Sequence, residues 1–389
     1  MKYKWTIKTL SDIADFNPRE SLSKGILAKK IAMDKLQPFC RDVLSFELEK
    51  FSGGTKFRNG DTVMARITPC LENGKTAKVN ILDDGEIGFG STEYIVFRAK
   101  EGTDKDYLYY LVCSPLVREP AIKSMVGSSG RQRVQTDVVQ GLSIAVPPIE
   151  EQRQIGGILR ALDDKIELNN EVNKNLLDQA QAIFTKEFLS IEQIPDDWTE
   201  SSLLGIANYL NGLAMQKFRP SDGEQSLPVL KIKELRQGSC DANSERCSLS
   251  IKPEYIVHDG DVIFSWSGSL LVDFWCGGTC GLNQHLFKVT SNIYDKWFYY
   301  SWTNYYLQKF AAIAADMATT MGHIKREELA KSRVLIPSCS DYERIGKTLA
   351  PLYDILISNR VENRKLANLR DTLLPQLMSG ELDVSGLNL

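Results

Sequence analysis

Residue types that could perform catalysis occur in this sequence, but not at the spacings that catalysis requires. Residues 73–76 (NGKT) match the end of a phosphate-binding loop, yet Pro69 stands where that loop needs its first glycine. The glycines of residues 88–90 (GFG) are too few for a nucleotide-binding loop. The sequence contains no Asn/Asp-Pro-Pro-aromatic motif of an amino-methyltransferase and no convincing acidic-acidic-lysine nuclease arrangement. These observations predict a protein that is not an enzyme by itself.

Cysteine and histidine residues in the second half of the chain offer one alternative chemistry. Cys276 and Cys280 are separated by three residues, and Cys240, Cys247 and His285 lie within the same half. Such residues could bind zinc, but this spacing is looser than that of zinc-binding motifs. We therefore expect reduced, structural cysteines and no metal.

Length and composition place these residues in a multidomain protein. A chain of 389 residues that is 43% hydrophobic and 25% charged can form two or more globular domains. The sequence has no secretion signal and no apolar run long enough to cross a bilayer, so we expect a soluble, cytoplasmic protein. The formal net charge of −3 is unfavourable for nucleic-acid binding only if the charges are evenly spread.

An internal repeat organises nearly the whole chain. Short motifs of the first half return in the second half, in the same order and mostly about 190 residues later. The repeated pairs are Trp5-Thr6 with Trp198-Thr199, Gly60-Asp61 with Gly260-Asp261, residues 106–110 (DYLYY) with 296–300 (KWFYY), and Pro147 with Pro337. The chain therefore consists of two copies of one plan.

Each copy begins with an α+β domain and ends with a long helix. The first ~140 residues mix strand-like runs, glycine-rich and proline-rich loops and one late amphipathic helix. After Pro147 and Pro337, apolar residues follow a 4-3-4-3 spacing that places them on one seam of a helix. The seam positions are Ile155, Leu159, Leu162, Ile166, Asn169, Asn173 and Leu176 in copy one, and Ile345, Leu349, Leu352, Leu356, Asn359, Asn363 and Leu366 in copy two.

Each seam needs a partner, and the simplest partner is the other helix in an antiparallel pair. Asparagine at a seam position lowers stability and fixes register. Asparagines at matching seam positions of both copies favour a register in which Asn169 faces Asn363 and Asn173 faces Asn359. The alternative is that the asparagines only allow each helix to bend or to meet solvent.

With this organisation, the sequence resembles the DNA-specificity subunit of type I restriction-modification enzymes. The closest local match is residues 142–155 (LSIAVPPIEEQRQI), which are similar to the family's strand, Pro-Pro and Glu-Gln run into a spacer helix. Copy two departs from this motif, with Ser338 for Pro148 and Tyr342 for Gln152.

The resemblance implies a domain order, a fold and a function. It predicts target-recognition domains at residues 1–147 (domain 1) and 196–337 (domain 2), with conserved spacer helices at residues 148–195 and 338–389. In fold terms, two globular α+β domains are separated by two long antiparallel coiled-coil helices with pseudo-two-fold symmetry. Each domain would read one half of a bipartite, asymmetric site in double-stranded DNA.

The same resemblance implies partners and places the cofactors on them. The family's subunit binds two methyltransferase subunits, which use S-adenosylmethionine, and restriction subunits, which use ATP and Mg²⁺. No cofactor is expected in this chain. A coiled-coil scaffold whose globular domains do not bind DNA is the alternative from another functional class.

The charge distribution permits DNA binding. Formal net charges are +4 for residues 1–147, −4 for 148–195, −2 for 196–337 and −1 for 338–389. Phosphate contacts need local cations rather than a positive average. Domain 1 meets this condition easily, whereas domain 2 must cluster its cations.

The candidate DNA contacts lie on glycine-containing loops. Arginine can bind guanine, and glutamine can bind adenine, through two hydrogen bonds each, so loop 127–133 (GSSGRQR) suits major-groove recognition. The alternative for each residue is an ordinary solvated charge, and Trp266 could equally belong to the core. The predicted contacts are Lys56, Arg58, Arg66, Lys75, Lys78, Arg131, Gln132 and Arg133 in domain 1, and Lys217, Arg219, Ser267, Lys325 and Arg326 in domain 2.

Overall fold

The computed structural model describes residues 5–316, 324–384 and 386. The chain forms two compact units, of which the first contains residues 1–165 and 366–389 and the second contains residues 166–365. Each unit includes one globular domain and parts of both spacer helices. The predicted domain boundaries stay a prediction, because the units divide the chain within the helices.

From residue 5 onward, domain 1 and the helix that follows it contain ten strands and five α-helices. In chain order these are β1 (Thr6–Thr9), α1 (Leu10–Ile13), β2 (Ala14–Phe16), β3 (Leu27–Ile31), β4 (Glu47–Lys50), β5 (Thr55–Phe57), β6 (Thr62–Ala65), β7 (Thr76–Lys78), β8 (Gly88–Gly90), β9 (Tyr94–Ala99), α2 (Lys105–Cys113), α3 (Pro115–Lys123), α4 (Thr136–Gln140), β10 (Ser143–Val146) and α5 (Ile149–Phe184). A π-helical turn, Thr185–Leu189, ends α5.

The second half has the same sequence of strands. Its elements are β11 (Thr199–Ser202), α6 (Leu203–Ile206), β12 (Asn208–Asn211), β13 (Ser226–Leu230), α7 (Ile232–Gln237), β14 (Arg246–Ser248), β15 (Ile256–Val257), β16 (Val262–Ser265), β17 (Leu271–Phe274), β18 (Cys280–Leu282), β19 (Leu286–Thr290), α8 (Lys296–Asp316), α9 (Arg326–Lys331), β20 (Arg333–Ile336) and α10 (Cys339–Ser379). Among the described helices, none is both long enough and apolar enough to span a bilayer.

The strand pairings confirm the α+β fold and the internal repeat. Domain 1 contains three sheets, with the orders β1-β10, β2-β9-β6-β7 and β4-β3-β8-β5. Domain 2 contains β11-β20, β12-β19-β16-β17 and β14-β13-β18-β15, so every strand has an equivalent ten strands later. Even the exceptional parallel pairing of β3 with β8 recurs between β13 and β18.

Alternating residues of the central strands give the sheet two buried faces. In β6 and β9, Met64 and Phe97 pack with α2, whereas Val63 and Val96 pack with the second sheet. Strands with both faces buried need continuous apolar sequence, which β6 and β9 supply. Domain 2 shows the same division, since Phe264 packs with α8 and neighbouring Ile263 packs with the second sheet.

The repeated Gly-Asp pair forms the turn that precedes β6 and β16. Gly60 has φ +88° and Gly260 has φ +83°, in the left-handed region that glycine adopts without strain. Each following aspartate accepts a hydrogen bond from a backbone N–H three residues earlier, at 2.8 Å from Asp61 to Arg58 and at 2.8 Å from Asp261 to His258. The pair therefore has a structural role in both copies.

The repeated tryptophan ties the start of each domain to the start of its spacer helix. The Trp5 indole donates to Glu151 Oε2 at 3.1 Å, and the Trp198 indole donates to Asp341 Oδ2 at 3.0 Å. Burial raises the pKa of Glu151, whereas the Trp198 hydrogen bond lowers the pKa of Asp341. The equivalent indole–carboxylate hydrogen bonds therefore lie in different environments, because burial dominates at Glu151 and hydrogen bonding dominates at Asp341.

The substitution of Tyr342 for Gln152 preserves a second helix contact. Gln152 accepts a hydrogen bond from the Asp104 backbone N–H at 2.9 Å, at the start of α2. The Tyr342 hydroxyl accepts one from the Asp295 backbone N–H at 2.7 Å, at the start of α8. Two different side chains thus join the spacer helix to the aromatic helix of its own domain.

The seam asparagines pair across the two helices within the second unit. Asn169 Nδ2 donates to Asn363 Oδ1 at 2.8 Å, and Asn359 Nδ2 donates to Asn173 Oδ1 at 3.0 Å. Between these two contacts the residue number rises along α5 and falls along α10, so the helices run antiparallel here. Glu362 accepts a further hydrogen bond from Asn169 at 2.8 Å. This polar layer satisfies the side chains that the seam places between the helices.

The apolar seam positions also pack against the globular domains. Ile155 and Leu159 are buried in the core of the first unit, together with Leu377 near the end of α10. Ile345 and Leu349 are buried in the core of the second unit. The remaining apolar seam residues are half-buried, except for the buried Leu356: Leu162, Ile166, Leu176, Leu352 and Leu366. Each seam is therefore covered partly by the other spacer helix and partly by a globular domain of the same unit. Because both kinds of contact require apolar side chains, the apolar spacing is regular.

Candidate nucleic-acid interface

One end of the central sheet of domain 1 brings several predicted contacts together. Arg66 follows β6 there, Glu93 precedes β9, and loop 127–133 closes over both. We call this end, made of Arg66, Glu93 and residues 126–134, the tip of domain 1. Backbone hydrogen bonds connect its parts, because the Val134 N–H donates to the Arg66 carbonyl at 2.8 Å and the Arg66 N–H to the Glu93 carbonyl at 2.9 Å.

The glycine-rich loop at the tip has a fixed base. The Arg133 N–H donates to the Val126 carbonyl at 2.9 Å, and the Val126 N–H donates to the Arg133 carbonyl at 3.0 Å. Gly127 and Gly130, with φ +136° and +77°, allow the chain to reverse between these residues. The loop therefore presents its side chains from a closed backbone ring.

Arg133 and Glu93 form the strongest ion pair at the tip. Arg133 Nε lies 2.9 Å from both carboxylate oxygens of Glu93, and Nη2 lies 2.6 Å from Oε1. These hydrogen bonds hold the pKa of Glu93 below its ordinary value. Arg66 is near the same carboxylate, with Nε 4.0 Å from Oε2. Sequence reasoning missed Glu93, although its place just before an apolar strand of the repeat was visible.

Arg131 and Gln132 occupy the outer part of the same loop. The Arg131 side chain is exposed and makes no hydrogen bond or ion pair with the described residues. Gln132 is half-buried, and its carbonyl accepts a hydrogen bond from Thr68 N–H at 3.0 Å. The whole Arg131 guanidinium is thus available to a phosphate or a base without breaking an existing contact.

The other predicted cations of domain 1 already have partners. Lys75 immediately precedes β7 beside the tip, and its Nζ donates to the Met33 carbonyl at 2.8 Å. Lys56 Nζ donates to the Glu20 carbonyl at 2.8 Å, and Arg58 Nη2 bonds the Glu20 carboxylate at 2.6 Å.

Lys78 and Arg58 lie away from the tip. Lys78 pairs with Thr62 at the opposite end of β6, and Arg58 precedes β6 at that same end. The Lys78 side chain is 18% exposed and forms an ion pair with Asp106 of α2. The contact of Lys78 with DNA stays a prediction, and in this structure its ammonium instead joins the sheet to the helix layer through Asp106.

The equivalent end of domain 2 has different chemistry. The Ile324 N–H donates to the Trp266 carbonyl at 3.1 Å, as Val134 does to Arg66, so Trp266 takes the place of Arg66. His285 precedes β19 as Glu93 precedes β9, and its ring centroid is 6.2 Å from that of Trp266. Trp266 is partly buried against the core, and its Nε1 donates to Asn211 at 3.0 Å. We call Trp266 and His285 the tip of domain 2.

The predicted contacts of domain 2 divide into buried and exposed residues. Ser267 is buried, and its hydroxyl lies 3.2 Å from His285 Nδ1, so it supports the imidazole instead of facing solvent as expected. Lys217 and Arg219 are exposed on the segment after β12, which leaves the sheet at the tip. Lys325 and Arg326 are also exposed. The candidate loop residues 319–323, including His323, lie outside the described residues.

The cysteines of domain 2 do not form a single cluster. Cys240 and Cys280 share one apolar cluster and their thiols interact, whereas Cys247 belongs to a second cluster and Cys276 packs in the main core near α10. Burial raises the pKa of the Cys276 thiol to about 11. Within the residues described, no group of three or more His, Cys, Asp or Glu side chains is arranged to hold a metal ion.

Comparisons with known proteins agree with this arrangement of two similar domains. The family described as "Type I restriction modification DNA specificity domain" matches residues 2–178 and again residues 195–367. The type I restriction enzyme MjaIX specificity subunit of Methanocaldococcus jannaschii is 24% identical over 312 residues, covering 74% of this chain and 71% of that protein. The EcoAI specificity subunit of Escherichia coli is 30% identical over 215 residues, covering 51% of this chain and 36% of that protein.

A solved structure shows the same fold. The crystal structure of the type I restriction-modification system S subunit from M. genitalium aligns with a TM-score of 0.59 and 14% identity, covering 98% of this chain and 97% of that one. Two matches of one family in tandem account for both copies of the internal repeat. The chain therefore belongs to the family of type I restriction-modification DNA specificity domains, of which it contains two copies, and its role is specificity rather than catalysis.

Proposed function

We propose that this chain is the DNA-reading subunit of a type I restriction-modification complex and recognises a bipartite, asymmetric target. One observation supports this proposal above all others. The two domains share every strand pairing, yet the equivalent tip positions contain Arg66 and Glu93 in domain 1 and Trp266 and His285 in domain 2. One scaffold with two sets of surface groups is suited to reading two different base sequences.

The proposal assigns the chemistry to partner subunits. Two methyltransferase subunits would bind and use S-adenosylmethionine, restriction subunits would bind ATP and Mg²⁺, and no cofactor is assigned to this chain. The complex would act in the cytoplasm.

The spacer helices offer apolar surface for such partners. Leu168 and Val172 are exposed on α5, and Ile355 is exposed on α10. Leu168 and Val172 lie one helical turn apart, so they form adjoining apolar surface that a protein partner could cover.

Co-expression with a candidate methyltransferase tests the proposal directly. Genomic DNA from cells that contain both chains is sequenced for methylated bases. We expect methylation within a motif of two specified parts separated by a fixed, unspecified gap. A stable complex that yields no bipartite methylated motif would contradict the proposal and favour the scaffold function.

The two domains can be tested separately in the same experiment. Replacing Arg131 by alanine should weaken recognition of one half of the motif, because Arg131 belongs to the tip of domain 1 alone. Alanine at exposed Lys24, outside both tips, serves as the control for loss of one positive charge. Equal loss at both halves would show that Arg131 contributes only general electrostatic attraction.

A further inference from the structure

The ion pair at the tip of domain 1 leaves part of the Arg133 guanidinium unused. Glu93 accepts hydrogen bonds from Nε and Nη2, which form one edge of the planar group. A guanidinium has five N–H donors, so the edge formed by Nη1 and the second hydrogen of Nη2 is still available. No described residue accepts a hydrogen bond from Nη1. With 47% of its side chain exposed, Arg133 can offer this edge to a ligand.

The unused edge fits one base better than the others. Guanine presents O6 and N7 side by side in the major groove, and two parallel N–H groups of arginine bind them together. Lysine can reach the same two acceptors, but its flexible ammonium lacks the rigid planar pair of parallel N–H groups that arginine presents. Guanine in the major groove is therefore the chemical partner that the geometry suits.

The carboxylate positions the arginine without removing the attraction to DNA. The Arg133 backbone is fixed by its pairing with Val126, and Glu93 is fixed by the hydrogen bond from Arg66 N–H to its carbonyl. An arginine held at both its backbone and its guanidinium loses less freedom when it binds. Arg66, Arg131 and Arg133 together still exceed Glu93 by two positive charges, so the tip remains attractive to phosphate.

The same arrangement is absent from the described part of the domain 2 tip. His285 replaces Glu93 and Trp266 replaces Arg66, so no carboxylate stands at the equivalent position. Substitutions of Arg133 or Glu93 should therefore change base preference only in the half-site that domain 1 reads. Domain 2 serves as an internal control for folding and assembly.

We propose that Arg133 reads a guanine in the half-site of domain 1 and that Glu93 is its positioning residue. This inference rests on the proposed function, because it assigns a base to one of the two recognition domains. It makes Arg133 a specificity-determining residue and not merely one cation among several.

The test uses the complete complex with its methyltransferase and compares R133K, E93Q and the wild type. Methylation rates are measured on duplexes in which each base of both half-sites is changed in turn. R133K keeps the charge but lacks the paired N–H groups, so preference for one guanine should fall by about 10- to 100-fold. The half-site of domain 2 should keep its full preference.

E93Q separates positioning from simple charge neutralisation. Glutamine retains one acceptor but loses the negative charge, so binding to all DNA should become tighter. If Glu93 positions Arg133, the guanine preference falls at the same time. If Glu93 only screens charge, affinity rises for every sequence and the preference ratio is unchanged, which would overturn its positioning role. R333K is the matched control, because Arg333 pairs with an exposed carboxylate, Glu200, on the β11–β20 ribbon.

The outcomes distinguish this inference from the proposed function. A wild-type bipartite motif whose base preferences survive R133K would overturn the inference alone, as would a domain 1 half-site without guanine. A wild-type complex that methylates no bipartite motif would overturn the proposed function and the inference with it. Loss of preference in both half-sites would show that R133K disturbs the whole subunit, and would also contradict a reading role.

Discussion

Replacing Arg370 by methionine should destabilise the first unit through a buried carboxylate. Arg370 Nη1 of α10 lies 2.7 Å from Asp163 Oδ1 of α5, and the Tyr110 hydroxyl of α2 donates to Asp163 Oδ2 at 2.6 Å. The Asp163 and Arg370 side chains are only 6% and 12% exposed. Methionine fills similar volume but leaves Asp163 with a single side-chain donor.

The expected cost follows from the burial of the pair. Breaking a buried ion pair by removing one partner costs about 3–5 kcal/mol, because the remaining charge is desolvated and uncompensated. The pair between Arg160 and Asp106 provides the control, since Arg160 is 54% exposed and Asp106 keeps its ion pair with Lys78 when Arg160 is replaced. Its replacement by methionine should cost no more than about 1 kcal/mol.

Hydrogen exchange measured by mass spectrometry resolves the effect by segment. In R370M, the amides of α2 should exchange faster by a factor that corresponds to the lost free energy, while domain 2 amides should not change. Adding Asp163→Leu to R370M should recover part of the stability, because an apolar pair carries no desolvated charge. Equal exchange in R370M and R160M would refute the reasoning, as would a double variant that is less stable than R370M.

Four further predictions concern the spacer helices. Asn169→Leu should reduce protection in the middle of the helix pair by about 1–3 kcal/mol, because Asn363 loses a buried partner, and unchanged hydrogen exchange there would contradict this. The raised pKa of Glu151 means that its contribution to stability is present at low pH and lost as pH rises from about 4.5 through the folded-state value, so Glu151→Gln should abolish that loss in denaturant titrations. The lowered pKa of Asp341 has the opposite sign, with stability present above about 3.8 and lost as pH falls through the folded-state value, so Asp341→Asn should lower stability at pH 7 and lower it progressively less as pH falls below about 3.8. Adding one heptad to both helices lengthens each by about 10 Å and should widen the methylated gap by about 3 base pairs, whereas an unchanged gap would show that the helices do not set it.

Local patterns in the sequence were sufficient to predict the main elements of the fold. Seven-residue spacing of apolar residues predicts a long helix wherever it occurs, and α5 and α10 begin at Ile149 and Cys339, close behind the two repeated prolines. The matching tryptophans and aromatic helices predict two copies of one domain. Strand order was not predictable, because the parallel pairing of β3 with β8 joins residues nearly 60 positions apart.

The candidate interface was only partly predictable from residue types. The glycines of loop 127–133 were visible in the sequence, but the position of the Arg133 guanidinium depends on Glu93, about 40 residues earlier in the chain. Ser267 has the composition of a surface contact and is nevertheless buried beneath His285. A polar residue type alone does not reveal whether its hydrogen bonds are already made within the protein.

The sequence by itself determined the repeat, the two long helices and the set of available cations, because these depend on residue type and on spacing within one element. Only the tertiary structure decided which cations are held in ion pairs within the protein and which are available to a ligand. Lys78 and Arg133 are equally basic in sequence, but Asp106 binds one against the helix layer and Glu93 holds the other at the exposed tip. The free energy of a charge depends on the partner and the solvent that folding places beside it, and those partners lie dozens of residues away.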